Sequence, residues 1–364
     1  GRNTMGGVIN VYTLSPLTYE GVRLTAEYGS GDSYRFRASS YYKLSPDLGM
    51  AVTGYFTHTG GFFDNDCTGE KCDWERLGGG RWKTQWRNNR GVRIDNTFSF
   101  SALDQGGYPY AYAGEDIVRD GKTVIRNGQV SYNDPSSYRR TTVSDGLTVR
   151  YDAAKYSVSS ITSYQYSDDE MTLDQDFTPE SWFTLRQARR EHALTEDIVF
   201  RSHDGRYGWL LGAFGFYRHG VMEAPVHFKR TGIEELIVKN ANEHLGAIWN
   251  EEYSISADEL PLYSDFRMPV YGGAVYHESN LRLGRWHPFR RGTHVAGLPQ
   301  PDRHGLFRQQ GGRRARAETH LDRRGEPHRP HLLRSAAEGL AALRFRRSAQ
   351  PLYFGSQGLQ GRGI

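Results

Sequence analysis

Cysteine is nearly missing from this chain. Two in 364 residues exclude a disulfide-dense scaffold and cysteine-rich zinc modules. Long apolar runs are absent altogether: nothing approaches the ~18 residues of a membrane-spanning helix, and mean hydropathy is −0.69. Hydrophobic residues make up 37%, below the roughly 45–50% of globular domains, a figure that also counts Gly. No GxSxG, HExxH or P-loop occurs, and no GxGxxG in a βαβ setting, so no enzyme is indicated. Glycine (42 residues) and aromatics (13%) are plentiful instead. That is too aromatic for a disordered chain, and it suggests extended β structure with one wet side.

Lysine and asparagine are scarce in one region only. Leu281–Ile364 has no Lys, no Asn and a single Tyr (Tyr353), but 17 Arg and 6 His against 5 acidic residues. This tail carries +12, whereas the first 280 residues hold 29 basic and 37 acidic groups, a net of −8. The overall +4 therefore joins two unlike compositions and describes no single surface.

From Tyr19 the pattern has period two. Val22, Leu24, Ala26 and Tyr28 alternate with Arg23, Thr25 and Glu27, and Phe36, Ala38 and Ser40 with Arg35, Arg37 and Ser39. Met50, Val52, Gly54 and Phe56 continue the apolar set, which predicts strands with one apolar and one polar face. Further strands are expected at Gly80–Asn88, Val92–Asp104, Thr141–Asp152, Lys155–Asp168, Thr184–Ser202, Arg206–His219 and Arg267–Glu278, making ten. Apart from a short first connection, turn-like links alternate with long ones: Gly60–Gly79, Gln105–Arg140, Glu170–Phe183 and Gly220–Phe266. Outer-membrane barrels segregate loop length in this way, with short turns on one side and long loops on the other. Tyr and Trp near strand ends, such as Tyr28, Tyr42, Trp86 and Tyr164, suit interfacial girdles. A soluble all-β binding protein, a sandwich or a propeller module, is the competing reading of the same period.

Certain strings carry a resemblance. Gly1–Thr13, GRNTMGGVINVYT, is a glycine turn feeding a short strand, and its GGVINV core resembles the end of the plug domain of TonB-dependent outer-membrane receptors. DNTFSFSALDQGGYPY (Asp95–Tyr110), YNDPSSYRRTTVSDGLTVRYD (Tyr132–Asp152) and FRMPVYGGAVYHE (Phe266–Glu278) resemble barrel segments of Bacteroidetes-type members. The resemblance covers roughly residues 1–283 and is specific as a set. It implies an all-β, transmembrane antiparallel barrel, of which this chain supplies a plug remnant (1–16) and about ten strands (17–283) of a parental 22-stranded barrel. By the same resemblance the parent takes up a scarce nutrient across the cell outer membrane, with TonB, a ferric siderophore and outer-membrane lipid as partners and no nucleic acid. A glycan or cobalamin importer of the same architecture is the alternative.

Candidate chemistry is sparse. Cys67 and Cys72 flank a loop turn; a metal would need about four N/S ligands and no His lies near, so in an oxidising surface setting a disulfide is expected. Asp168, Asp169, Glu170, Asp174 and Asp176 read as a solvated acidic loop, lacking the EF-hand glycine pattern. Trp74, Tyr108, Tyr110 and Tyr112 lie in long loops, where they serve either ligand stacking or loop packing. No metal or cofactor site is indicated.

Period two stops after Trp286. Residues 284–364 read either as a basic nucleic-acid arm or as the product of a shifted reading frame, unstructured. The second reading is preferred because GC-rich DNA out of frame gains Arg, Gly, Ala and Pro while losing Lys, Asn, Tyr and Ile. A one-base shift across His287–Gln300 can also encode an alternating string where an eleventh strand should begin.

Overall fold

The computed structural model describes residues 11–119, 122–203, 205–246, 253–281 and 289–294. Eleven strands run consecutively through one antiparallel sheet. They are β1 Gly21–Gly29, β2 Ser33–Ser45, β3 Leu48–Thr59, β4 Glu75–Arg87, β5 Val92–Gln105 and β6 Ser137–Asp152, then β7 Tyr156–Asp174, β8 Phe183–Ser202, β9 Tyr207–Glu223, β10 Asp265–Leu281 and β11 Phe289–His294. Each pairs only with its sequence neighbours, apart from a short hairpin, Val226–Lys229 with Glu259–Leu262, that adds onto β8 at Phe183–Leu185. An unbroken ladder of this length is neither a two-sheet sandwich nor a set of four-stranded blades, which removes the soluble architectures weighed above.

The register shows why the period matters. Ser40, Val52, Trp82, Phe98, Asp145, Tyr164, Leu194, Tyr217 and Tyr271 stand side by side across nine strands. One residue along, on the opposite face, the row reads Ser39, Thr53, Arg81, Ser99, Ser144, Gln165, Ala193 and Arg218. The polar face knits itself together through Ser39–Thr53 (3.0 Å) and Ser99–Ser144 (2.7 Å) hydroxyl bonds and an Arg35–Glu27 ion pair. The first face stays bare: Val22 is 68% exposed, Leu24 75% and Val275 50%. Among the described residues few apolar side chains are buried, namely Ala51, Cys72, Val130, Tyr132, Leu173 and Ile233, and four of these six lie in or beside the loops. A soluble fold of this size places its apolar face inside.

Polar groups interrupt the apolar face in places, and two carboxylates among them, Asp145 and Glu196, are each satisfied by a neighbour. Asn96 donates to Asp145 (2.9 Å), and Ser160 and Thr162 both donate to Glu196 (2.6 Å each). Alternation in the sequence had concealed these exceptions.

Through β10, connections at one end of the sheet are short (46–47, 88–91, 153–155, 203–206) and those at the other are long (60–74, 106–136, 175–182, 224–264), the β1–β2 turn excepted. No described helix is long and apolar enough to cross a membrane, a fact silent about strands. The segment before β1 lies on the polar face at the short-turn end. Lys83 donates to Thr13 (3.0 Å), Ser15 donates to Gln85 (2.5 Å), and Tyr19 packs edge-on against Tyr41. Pro16 is fully buried, and a Cβ on Gly49 would stand 2.7 Å from its carbonyl, so close approach demands glycine there. Of the expected plug remnant, residues 1–10 fall outside the described residues.

Strand order continues past the expected boundary at 283. Phe289–His294 pairs with Val275–Asn280, an eleventh strand in the amino acids as they stand. The ladder bonds backbone to backbone, so pairing tolerates a sequence without alternation. The arm and shifted-frame readings of 295–364 concern residues outside the described set.

Candidate functional site

The long loops interlock above the sheet through buried polar groups. Asn65, 2% exposed, donates to the Tyr132 carbonyl (2.8 Å) and accepts from the Tyr132 N–H (3.1 Å), joining loop 60–74 to loop 106–136. Asn133 ties the second loop to 175–182 by donating to Ser181 (2.6 Å). Lys229, from 224–264, donates to Asp134 (2.6 Å), and its own N–H to the Trp182 carbonyl (2.8 Å). At the centre is Asp174, the last residue of β7 and fully buried. One oxygen accepts the Asp134 N–H (3.0 Å) and the other the Phe177 N–H (3.1 Å), while its own N–H donates to Ser136 Oγ (3.0 Å).

The electrostatics follow from burial. Loss of water pushes the Asp174 carboxyl up to about 6, aided by the charges of Asp176 and Asp134 and opposed by the two N–H donors. Tyr132 is pushed up strongly, chiefly by burial and then by Cys72. Burial likewise raises Tyr108.

Beside this hub is an open cavity of about 300 Å³ lined by Tyr110, Ala111, Tyr112, Ala113, Asp176 and Phe177. The Phe177 ring meets Tyr110 edge-on, with centroids 4.9 Å apart, and its backbone has a positive φ of 54°. Asp176 is spoken for: it accepts from Thr178 and from the Phe183 N–H. The wall is thus aromatic and uncharged save for one carboxylate.

The expected loop aromatics separate. Tyr110 and Tyr112 line the cavity; Tyr108 packs beneath, its hydroxyl toward Met171 Sδ and its ring beside Tyr110. Trp74 turns away to hold the Arg76 guanidinium over its ring at 5.3 Å. Phe177, which completes the cavity, gave no sequence signal.

The expected Cys67–Cys72 bridge is not formed in the structure, where the first thiol is exposed and the second buried. Asn65 folds the intervening turn by accepting the Cys67 N–H, which leaves Cys67 in solvent, while Cys72 packs inward with Val130 and Tyr132. Burial, then the charge of Asp73, pushes the Cys72 thiol up. The acidic run is also no solvated loop. Asp168 and Glu170 lie within β7, paired with Arg190 (3.3 Å) and Arg186 (2.6 Å), and Asp174 is buried. No group of three His, Cys, Asp or Glu able to hold a metal occurs among the described residues.

No protein-family model matches the chain, and no curated protein matches it. Among solved structures it is similar to the ferric yersiniabactin uptake receptor FyuA from Yersinia pestis, at 13% identity and a TM-score of 0.46, over 76% of this chain and 43% of that one. It is also similar to the siderophore receptor PiuA from Acinetobacter baumannii, at 9% identity and a TM-score of 0.47, over 72% and 40%. The chain spans less than half the length of either.

Proposed function

We propose that this chain is part of the wall and mouth of a TonB-dependent outer-membrane receptor that imports a scarce nutrient, in first place a ferric siderophore. The carrying observation is the uncovered apolar face of a single uninterrupted meander whose polar face bonds to itself. In water that face is a liability; in a bilayer it is the lipid-facing wall. Loop lengths sorted by sheet end support the same orientation, long loops outward. The GRNTMGGVINVYT string, and the docking of Thr13–Tyr19 on the polar face, support a plug in the lumen of a 22-stranded parent. Ligand contact is assigned to Tyr110, Tyr112 and Phe177, whose rings supply stacking surface. Siderophore as cargo rests on the family resemblance; the largely aromatic wall also suits a glycan or cobalamin.

Cell fractionation of the full-length parent tests the reading. Recovery from detergent-extracted outer membrane is the expected result, and a soluble monomer in the periplasm overturns it. Eleven strands cannot enclose the parental plug, so this polypeptide alone is expected not to restore siderophore-dependent growth to a receptor-null strain.

A further inference from the structure

We propose that Asp174 is a positioning residue of the loop cavity, whose protonation state sets how firmly the interlocked loops hold Phe177 against Tyr110. The proposal rests on the cavity reading above for its functional meaning, but its geometry stands apart from any cargo. Asp174 is not itself a lining residue of the cavity. It acts through the Phe177 N–H, which fixes a backbone in the left-handed region that a phenylalanine seldom adopts. Without that acceptor the residue has every reason to relax, and the ring facing Tyr110 goes with it.

The charges around Asp174 are out of balance. From its own loop it faces Asp176; from loop 106–136 it faces Asp134 and the Tyr132 phenol. Cys72 and Asp73 of loop 60–74 bear on Tyr132 from behind. Lys229 reaches this group and is engaged by Asp134 Oδ1. Asp134 is itself buried, and its second oxygen has no hydrogen-bond partner among the described residues. Ionised Asp174 therefore adds a third carboxylate to Asp134 and Asp176, and a proton on Asp174 lowers that crowding of negative charge.

The sign follows from the cause. Burial and like charge disfavour the ionised form, so the folded hub binds this proton more tightly than an unfolded loop does. The hub's stability is full below the ordinary carboxylate range, falls as pH rises to about 6, and is level above it. The cavity is accordingly firmer in mildly acidic medium than at pH 7.5.

Hydrogen exchange of the full chain in detergent micelles, read by mass spectrometry from pH 5 to 8 and corrected for intrinsic rates, tests this. Amides of 132–136 and 174–178 are expected to lose protection by about tenfold between pH 5 and 6 and to level off above about 6. Asp174→Asn takes up no proton and is expected to flatten the profile at a level below the acidic wild type, because the amide nitrogen cannot accept one of the two N–H bonds. Lys229→Gln removes the lysine charge and is expected to move the levelling point upward, which loss of packing alone does not do. A wild-type pH step surviving in Asp174→Asn overturns the proposal, as does an unmoved levelling point in Lys229→Gln if the first variant fails to fold. Exchange needs neither transport nor a ligand, so failure of the receptor reading leaves this result intact, and the reverse holds too.

Discussion

Single side chains in the loops do work that their neighbours in sequence do not announce. Asn65 illustrates it: three hydrogen bonds, two of them to a residue 67 positions away. Asn65→Ala leaves the Tyr132 peptide buried without partners, and each such group costs about 1–3 kcal/mol. Loop 60–74 is therefore expected to become the first site of limited proteolysis, checked by mapping early cuts. The two thiols offer a second test. Cys67 is expected to react with maleimide in the folded chain and Cys72 only after denaturation, so one label per chain precedes the second; two labels at equal rates contradict the packing of Cys72. Both contacts explain why the hub was illegible in sequence. Period and motif report residues near one another along the chain, whereas Lys229 and Asp134 are 95 positions apart. Phe177 was invisible for another reason, since only glycine ordinarily signals a positive φ.

At the scale of the strand, by contrast, the sequence was readable. Ten strands were expected, and each coincides with one of β1–β10 to within six residues at its ends, because a face that meets one environment along its whole length imposes period two. The extra strand, Phe289–His294, escaped because it pairs without alternating. The polar exceptions at Asp145 and Glu196 escaped because their neighbours on adjacent strands, not along their own, satisfy them. Facing gives a quantitative test. Leu194 and Thr195 are adjacent on β8 but point to opposite faces. In lipid vesicles Leu194→Arg is expected to destabilise by about 2–4 kcal/mol, while Thr195→Arg stays within about 1 kcal/mol. Urea titrations of the vesicle-inserted chain compare the two; equal losses contradict the assignment of a lipid-facing side.

For the whole molecule the decisive fact is that the described sheet has two open edges. Among the described residues β1 and β11 each pair on one side only, and unpaired edges recruit other strands. The isolated chain is therefore expected to form concentration-dependent oligomers in detergent, seen by light scattering as a mass that rises with concentration. A concentration-independent monomer contradicts open edges.

Strand length has one more consequence. β7 and β8 run 19 and 20 residues, about 63 Å at 3.3 Å per residue, whereas about 9–11 tilted residues cross a bilayer. The surplus lies at the long-loop end, where Asp168–Arg190 and Glu170–Arg186 replace the tyrosines. At a tilt near 40° the leftover eight or nine residues lift the cavity on the order of 20 Å clear of the hydrocarbon. On the reading proposed above, the mouth then stands like a chimney above the headgroups, so a bulky solute meets it before meeting the membrane. On that same reading its height leaves it open to antibodies and other large proteins approaching from outside.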